Sequence, residues 1–150
     1  MEILSKISLI LDATTLLIIL ASTIVGVLIG ALPGLSSGMA IALLLPFTIY
    51  LEPSLAIASM AALYCGGTFG GSITAILINA PGAPPAAATA FDGFPMAQKG
   101  QAGKALGMAA VSSVVGGIIS LIVLIIFAPT LARIAYKFGP PEYFALAIFG

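Results

Sequence analysis

The chain has 150 residues, 61% of them hydrophobic and 7% charged, with five basic and five acidic side chains and no net charge. A soluble domain carries about 25% charged residues, so this composition excludes an ordinary soluble protein. The absence of net positive charge also excludes a nucleic-acid partner, because nucleic-acid binding needs a basic face.

Three long stretches, residues 13–51, 53–91 and 105–132, contain no Asp, Glu, Lys or Arg. One helical crossing of a bilayer needs about 20 apolar residues, so we predict an all-α, polytopic helical bundle in the lipid bilayer. Residues 1–12 are a short amphipathic start. Lys6 is the only basic residue there and no cleavage site follows cleanly, which disfavours a signal peptide.

The first predicted helix covers about residues 14–32. Asp12 and Thr14 have the side chains that cap a helix N-terminus. Gly26 and Gly30 are four residues apart, which places a smooth stripe on one face of this helix. Another helix can therefore approach it closely.

Pro33-Gly34 interrupts the first charge-free stretch, because Pro lacks an N–H and Gly is conformationally loose. A second helix, predicted at about residues 39–51, is short for a crossing and forms either one arm of a re-entrant hairpin or a kinked span. If the interruption lies at membrane depth, the free N–H groups and the hydroxyls of Ser36 and Ser37 suit a carboxylate, and the preceding carbonyls suit a sodium ion. The alternative is an ordinary tight loop at the membrane surface.

The third apolar run extends from about residue 54 to residue 79 and contains four glycines between Gly66 and Gly71. These glycines either form a very close helix contact or mark a second break, since Gly is a poor helix former. In the second case, backbone carbonyls and the hydroxyls of Thr68 and Ser72 would line a solute pathway.

Pro81-Gly82 ends this run, and residues 86–104 are predicted to form a loop with at most one helical turn. Asn79 either binds an ion or solute oxygen or caps the helix end. Asp92 precedes a glycine and fits a surface turn, whereas a buried Asp beside a helix break would be a cation ligand. Thr89 is the nearby hydroxyl.

A fourth helix is predicted over about residues 105–127, with Pro129 as its end. A further apolar segment begins at Pro140 and is about half as long as a span requires when the sequence ends. The chain therefore looks truncated, and we expect residues 1–150 to be a single, incomplete transmembrane domain.

Enzymatic chemistry is not expected. The chain has no histidine for a catalytic triad or a zinc site, and no close pair of carboxylates. Cys65 is a lone cysteine and fits a small packing residue. We predict no metal site and no cofactor.

An ordered set of motifs covers nearly the whole chain. It comprises Gly-Ala-Leu-Pro-Gly-Leu at 30–35, Leu-Leu-Pro-Phe-Thr at 44–48, Tyr-Cys-Gly-Gly-Thr-Phe-Gly-Gly-Ser at 64–72, Ile-Asn-Ala-Pro-Gly at 78–82, Thr-Ala-Phe-Asp-Gly at 89–93 and Gly-Pro-Pro-Glu-Tyr-Phe at 139–144. This set resembles the N-terminal part of the large membrane subunit of tripartite tricarboxylate transporters, the TctA type.

The resemblance implies a secondary transporter for carboxylates in the cell inner membrane, coupled to a sodium or proton gradient. It implies a small membrane subunit and a periplasmic solute-binding protein as partners. It also implies an internally duplicated permease of which this chain supplies about half or less, so that the remaining part or another copy must complete it.

We therefore predict a multi-pass permease subunit for organic di- and tricarboxylates, with a non-transporting structural or assembly protein, or an inactive fragment, as the alternative. The predicted solute and ion site lies at the two helix interruptions and the glycine-rich stretch. Its residues are Pro33, Gly34, Ser36, Ser37, Thr68, Ser72, Asn79, Pro81, Gly82, Thr89 and Asp92.

Overall fold

The structure, a computed structural model, describes residues 12–149. Over these residues the chain forms six α-helices and no β-strand, which confirms the predicted all-α class. Except for Asp12, the predicted amphipathic start and the signal-peptide alternative lie outside the described residues. The helices are α1 (Ala13–Gly30), α2 (Ser37–Thr48), α3 (Pro53–Ile78), α4 (Ala86–Gln98), α5 (Ala102–Ala135) and α6 (Pro140–Phe149).

Three of these helices, α1, α3 and α5, are long and apolar enough to cross a membrane. The fourth apolar helix, α2, has only 12 residues and is about 18 Å long, well short of a hydrocarbon core of about 30 Å. The chain is therefore an all-α membrane protein in which both Pro-Gly pairs separate consecutive helices, as predicted.

Side chains at three helix starts satisfy backbone donors. The N–H of Thr14 donates to Oδ2 of Asp12 over 3.2 Å, which confirms the predicted cap of α1. Ser36 caps α2 by accepting from the N–H of Met39. At the start of α6, the N–H of Gly139 donates to the carboxylate of Glu142 over 2.8 Å, which is the return bond of a capping box.

The prediction of a loop at residues 86–104 was wrong, because α4 occupies Ala86–Gln98. The Asp92-Gly93 and Phe94-Pro95 pairs suggested turns, but the preceding alanines are strong helix formers. Gly93 is helical because it packs against the side chain of Ile76, a tertiary contact that the local sequence does not reveal.

The predicted end of the fourth helix at Pro129 was also wrong, since α5 continues through this residue to Ala135. Proline removes one N–H and crowds the preceding turn. Such interruptions are tolerated in membrane helices because the freed carbonyl finds another partner or a local adjustment.

The described part of the chain divides into two compact units, which meet between residues 111 and 112. Among the described residues, the first unit holds α1 to α4 and the start of α5, and the second holds the rest of α5 and α6. In the second unit the rings of Phe138 and Tyr143 lie 6.2 Å apart in a tilted arrangement.

Helix α3 is the centre of the first unit. It contacts α1, α2 and α4, and nine of its residues are buried, more than in any other described helix. Leu63, Ala75 and Ile76 are its large or fully enclosed apolar side chains. Helices α1, α2 and α4 therefore all pack on the surface of α3.

Candidate functional site

Helices α1 and α3 meet through glycines on both sides. Gly66 lies against the carbonyl of Thr23, and Gly70, one turn later, lies against the carbonyl of Val27. A step of four residues along α3 is matched by a step of four residues in the same direction along α1. The two helices therefore run in the same direction. The close helix contact predicted for the glycine-rich stretch is confirmed, and the alternative of a second break is wrong, since α3 is continuous.

The first interruption is a tight turn between Gly30 and Ser37. Gly34 has a φ of +92°, a left-handed conformation that glycine adopts without strain, and Leu35 donates its N–H to the carbonyl of Leu32. Ser37 then begins α2 and is buried. A Cβ placed on Gly67 would lie 2.8 Å from Oγ of Ser37, so this interruption packs directly on α3.

This contact lies in the interior of α3. Gly67 is fourteen residues after Pro53 and eleven before Ile78, which correspond to about 21 Å and about 16 Å along the helix axis. The α1–α2 turn is therefore level with the middle part of a helix that is long enough to span a membrane.

The second interruption begins at Asn79, which ends α3 in the left-handed conformation with a φ of 55°. The chain then folds back along α3. The N–H of Gly82 donates to the carbonyl of Gly71 over 3.4 Å, and a Cβ on Gly71 would lie 2.8 Å from the nitrogen of Ala83. Gly71 is seven residues before Ile78, so the loop returns by about 10 Å before α4 begins.

The two interruptions contact each other. A Cβ on Gly82 would overlap the carbonyl oxygen of Gly30, the last residue of α1, and would lie 3.1 Å from Cα of Gly71. Only the absence of side chains lets the three backbones approach this closely. Gly30 and Gly82, which are 52 residues apart in sequence, thus form one junction on α3.

Beside this junction, the returning loop and α4 border an open cleft of about 400 Å³. One wall is the beginning of the loop and the other is a face of α4. The cleft is lined by Asn79, Pro81, Ala87, Ala90, Phe91, Phe94 and Pro95.

The predicted site residues separate into five groups. Ser37 and Gly82 lie in the junction, Ser36 caps α2, and Asn79 and Pro81 line the cleft. Pro33 and Gly34 form the exposed part of the first turn, and Thr68, Ser72, Thr89 and Asp92 do not line the cleft. A solute- or ion-binding role for each of these residues stays a prediction.

The hydroxyls of Thr68 and Ser72 are used within their own helix, α3. Thr68 donates to the carbonyl of Tyr64 over 2.9 Å, and Ser72 donates to the carbonyl of Thr68 over 3.5 Å. Asp92 is exposed on α4, so it is neither a turn residue nor a buried acid. Among residues 12–149, no group of three His, Cys, Asp or Glu side chains is placed to hold a metal ion.

We did not predict the α4 wall of the cleft from the sequence. Residues 87, 90, 91 and 94 have the i, i+3, i+4, i+7 spacing of an apolar helix face, which is the signal that could have found it. Asn79 was identified, and the structure shows that it does cap the helix end, although this exposed residue also lines the cleft.

Comparison with known proteins gives two matches. Residues 16–150 match the family described as the tripartite tricarboxylate transporter TctA family. The chain is also 47% identical over 127 residues to a protein of Agrobacterium vitis described as an uncharacterized 52.8 kDa protein in the TAR-I ttuC' 3' region. That match covers 85% of this chain and 25% of the relative, so the chain spans about a quarter of the length of the curated relative it matches. No solved structure matches the chain significantly.

Proposed function

Because the chain belongs to the tripartite tricarboxylate transporter TctA family, we propose that it forms part of a permease subunit that moves organic di- and tricarboxylates across the cell inner membrane. In this proposal the subunit crosses the membrane several times and catalyses no covalent reaction. It works with a small membrane subunit and a periplasmic solute-binding protein. The remaining part of the large subunit, or another copy, completes the pathway.

One observation supports this proposal: the two helix interruptions contact each other beside the middle part of α3. Secondary transporters bind solutes near the bilayer midplane, where discontinuous helices present free backbone groups. Irregular backbone at that depth is tolerated only where protein buries it or where it lines a cavity. The burial of Ser37 and Gly82 is consistent with this requirement, and Pro81, the residue before Gly82, lines the neighbouring cleft.

The chemistry of the junction suits both an anion and a cation. The start of α2 carries the partial positive charge of a helix N-terminus, which favours a carboxylate near Ser36 and Ser37. The end of α1 supplies backbone carbonyls, which are ligands for a sodium ion. We propose that movement of the carboxylate is coupled to a sodium or proton gradient through these adjacent helix ends.

The direct test is uptake by the complete complex in proteoliposomes, with binding protein, labelled citrate or succinate, and imposed sodium or proton gradients. We expect gradient-dependent accumulation. Ser37→Ala, which removes a hydroxyl at the junction, should reduce uptake, whereas Thr48→Ala, which removes a hydroxyl at the other end of α2, should leave uptake unchanged.

Two results would count against the proposal in different ways. If the complete complex accumulates no carboxylate under either gradient, the chain is better explained as a structural or assembly protein. If the complex transports carboxylate but Ser37→Ala and Thr48→Ala have the same uptake, the transport function is supported and the proposed role of Ser37 is wrong.

A further inference from the structure

Helix α4 presents two separate apolar faces. Ala86 and Gly93 are buried, and Gly93 packs against Ile76 of α3. The second face contains Ala87, Ala90, Phe91 and Phe94, which line the cleft. Phe91 is 81% exposed, so its ring is not used to pack α4 onto the described helices.

The cleft has a defined chemistry. Asn79 is its one polar lining residue, and no charged side chain lines it within the described part of the chain. An apolar wall with one amide suits the hydrocarbon part of a ligand and can orient one of its polar groups. The volume of about 400 Å³ falls within the range of small-molecule sites, about 300–1,000 Å³.

We propose that the cleft is a subsite for the carbon skeleton of the transported carboxylate. The amide of Asn79 binds an oxygen at one end of the solute, and the α4 face with Phe91 and Phe94 covers its methylene groups. The cleft is open, so the solute's hydrocarbon lies against its apolar wall while the charged groups that Asn79 does not bind stay in water. This inference rests on the proposed function, because it takes the transported carboxylate as the ligand.

The subsite has a measurable signature. Each methylene removed from water strengthens binding about fourfold, whereas the charge of a linear dicarboxylate does not change with its length. Succinate, glutarate and adipate, which have two, three and four methylenes, should therefore bind with affinities that rise about 16-fold across the series. A site that contacts only the carboxylates would bind the three solutes with similar affinities.

The test uses cysteine accessibility in membranes that contain the permease subunits without the binding protein, because that protein also selects solutes. Ala87→Cys and Ala88→Cys are compared in a complex whose other cysteines, including the exposed Cys65, are replaced by serine. Both alanines are exposed neighbours on α4, but only Ala87 lines the cleft. The readout is the rate of labelling by N-ethylmaleimide at increasing dicarboxylate concentration.

We expect protection of the cysteine at position 87, with a half-protecting concentration that falls about fourfold per added methylene, and no protection at position 88. Equal behaviour at the two positions, or protection independent of chain length, would overturn the subsite. Constant shielding of position 87 without solute would assign the cleft to a lipid chain and would also overturn it.

A filling variant gives an independent measurement. Ala87→Leu should weaken adipate inhibition of uptake by about tenfold while changing succinate inhibition less than threefold, and Ala88→Leu should change neither. If the wild-type complex transports no carboxylate, the proposed function fails as well. If it transports but Ala87→Leu matches Ala88→Leu, only the subsite fails.

Discussion

The α-carbon of Gly82 lies against the carbonyl oxygen of Gly30, so closely that a single added methyl group would overlap it. Gly30 is the last residue of α1, and Gly82 is in the loop that returns from the end of α3. This contact joins the two helix interruptions, and both rest on the glycines of α3. The predictions that follow test whether this junction, its supports and its neighbours behave as the packing requires.

Gly82→Ala should destabilise the protein by roughly 1–3 kcal/mol, because the new methyl group meets backbone atoms that cannot move aside cheaply. Gly38→Ala is the matched control: it lies near the first turn, and its Cβ would be 3.7 Å from Oγ of Ser36, an ordinary contact. Thermal unfolding of both variants in detergent measures the difference. Equal midpoints would mean that the junction is looser than described.

Gly70→Ala should separate α1 from α3, since its Cβ would overlap the carbonyl of Val27. A Cβ added at Gly107 in α5 would have no heavy atom within 4 Å. Gly107→Ala should therefore be neutral or should stabilise the protein by up to about 1 kcal/mol through helix propensity. The measurement is disulfide cross-linking between cysteines introduced on facing positions of α1 and α3, together with thermal stability. Unchanged cross-linking in Gly70→Ala would contradict the contact.

Asn79 allows its cap and its proposed ligand role to be separated. Asn79→Ala should destabilise the protein by roughly 1–2 kcal/mol because the left-handed conformation is unfavourable for alanine. Asn79→Gly keeps that conformation without strain but removes the amide. Near-normal stability with reduced carboxylate uptake in Asn79→Gly would support the ligand role, whereas normal uptake would leave Asn79 as a cap alone.

Pro129→Ala should leave α5 intact and raise its stability, because the substitution restores the N–H that bonds to the carbonyl of Ile125. Amide hydrogen exchange over residues 125–133 measures this, with slower exchange expected in the variant. Faster exchange would show that the proline supports the local helix geometry.

Hydrophobic patterning predicted most of the fold. The caps at Asp12 and near Asn79 and the two Pro-Gly interruptions depend on local chemistry, and all appear where the sequence indicated. The helical state of residues 86–98 and of residues 128–135 did not follow from local signals, because Gly93 and Pro129 are normally helix breakers. Packing against Ile76 overrides the local preference at Gly93.

The sequence by itself determined that this protein lies in a lipid bilayer and where its helices are interrupted. Charge-free stretches of 28 residues or more require a membrane, and Pro-Gly pairs end helices because they remove an N–H and loosen the backbone. The tertiary structure alone decided that Gly30 and Gly82 meet on α3 and that α4 lines a cleft with Asn79. The reason is physical: glycines specify that backbones can approach closely, but the partner of each glycine depends on how the whole chain packs.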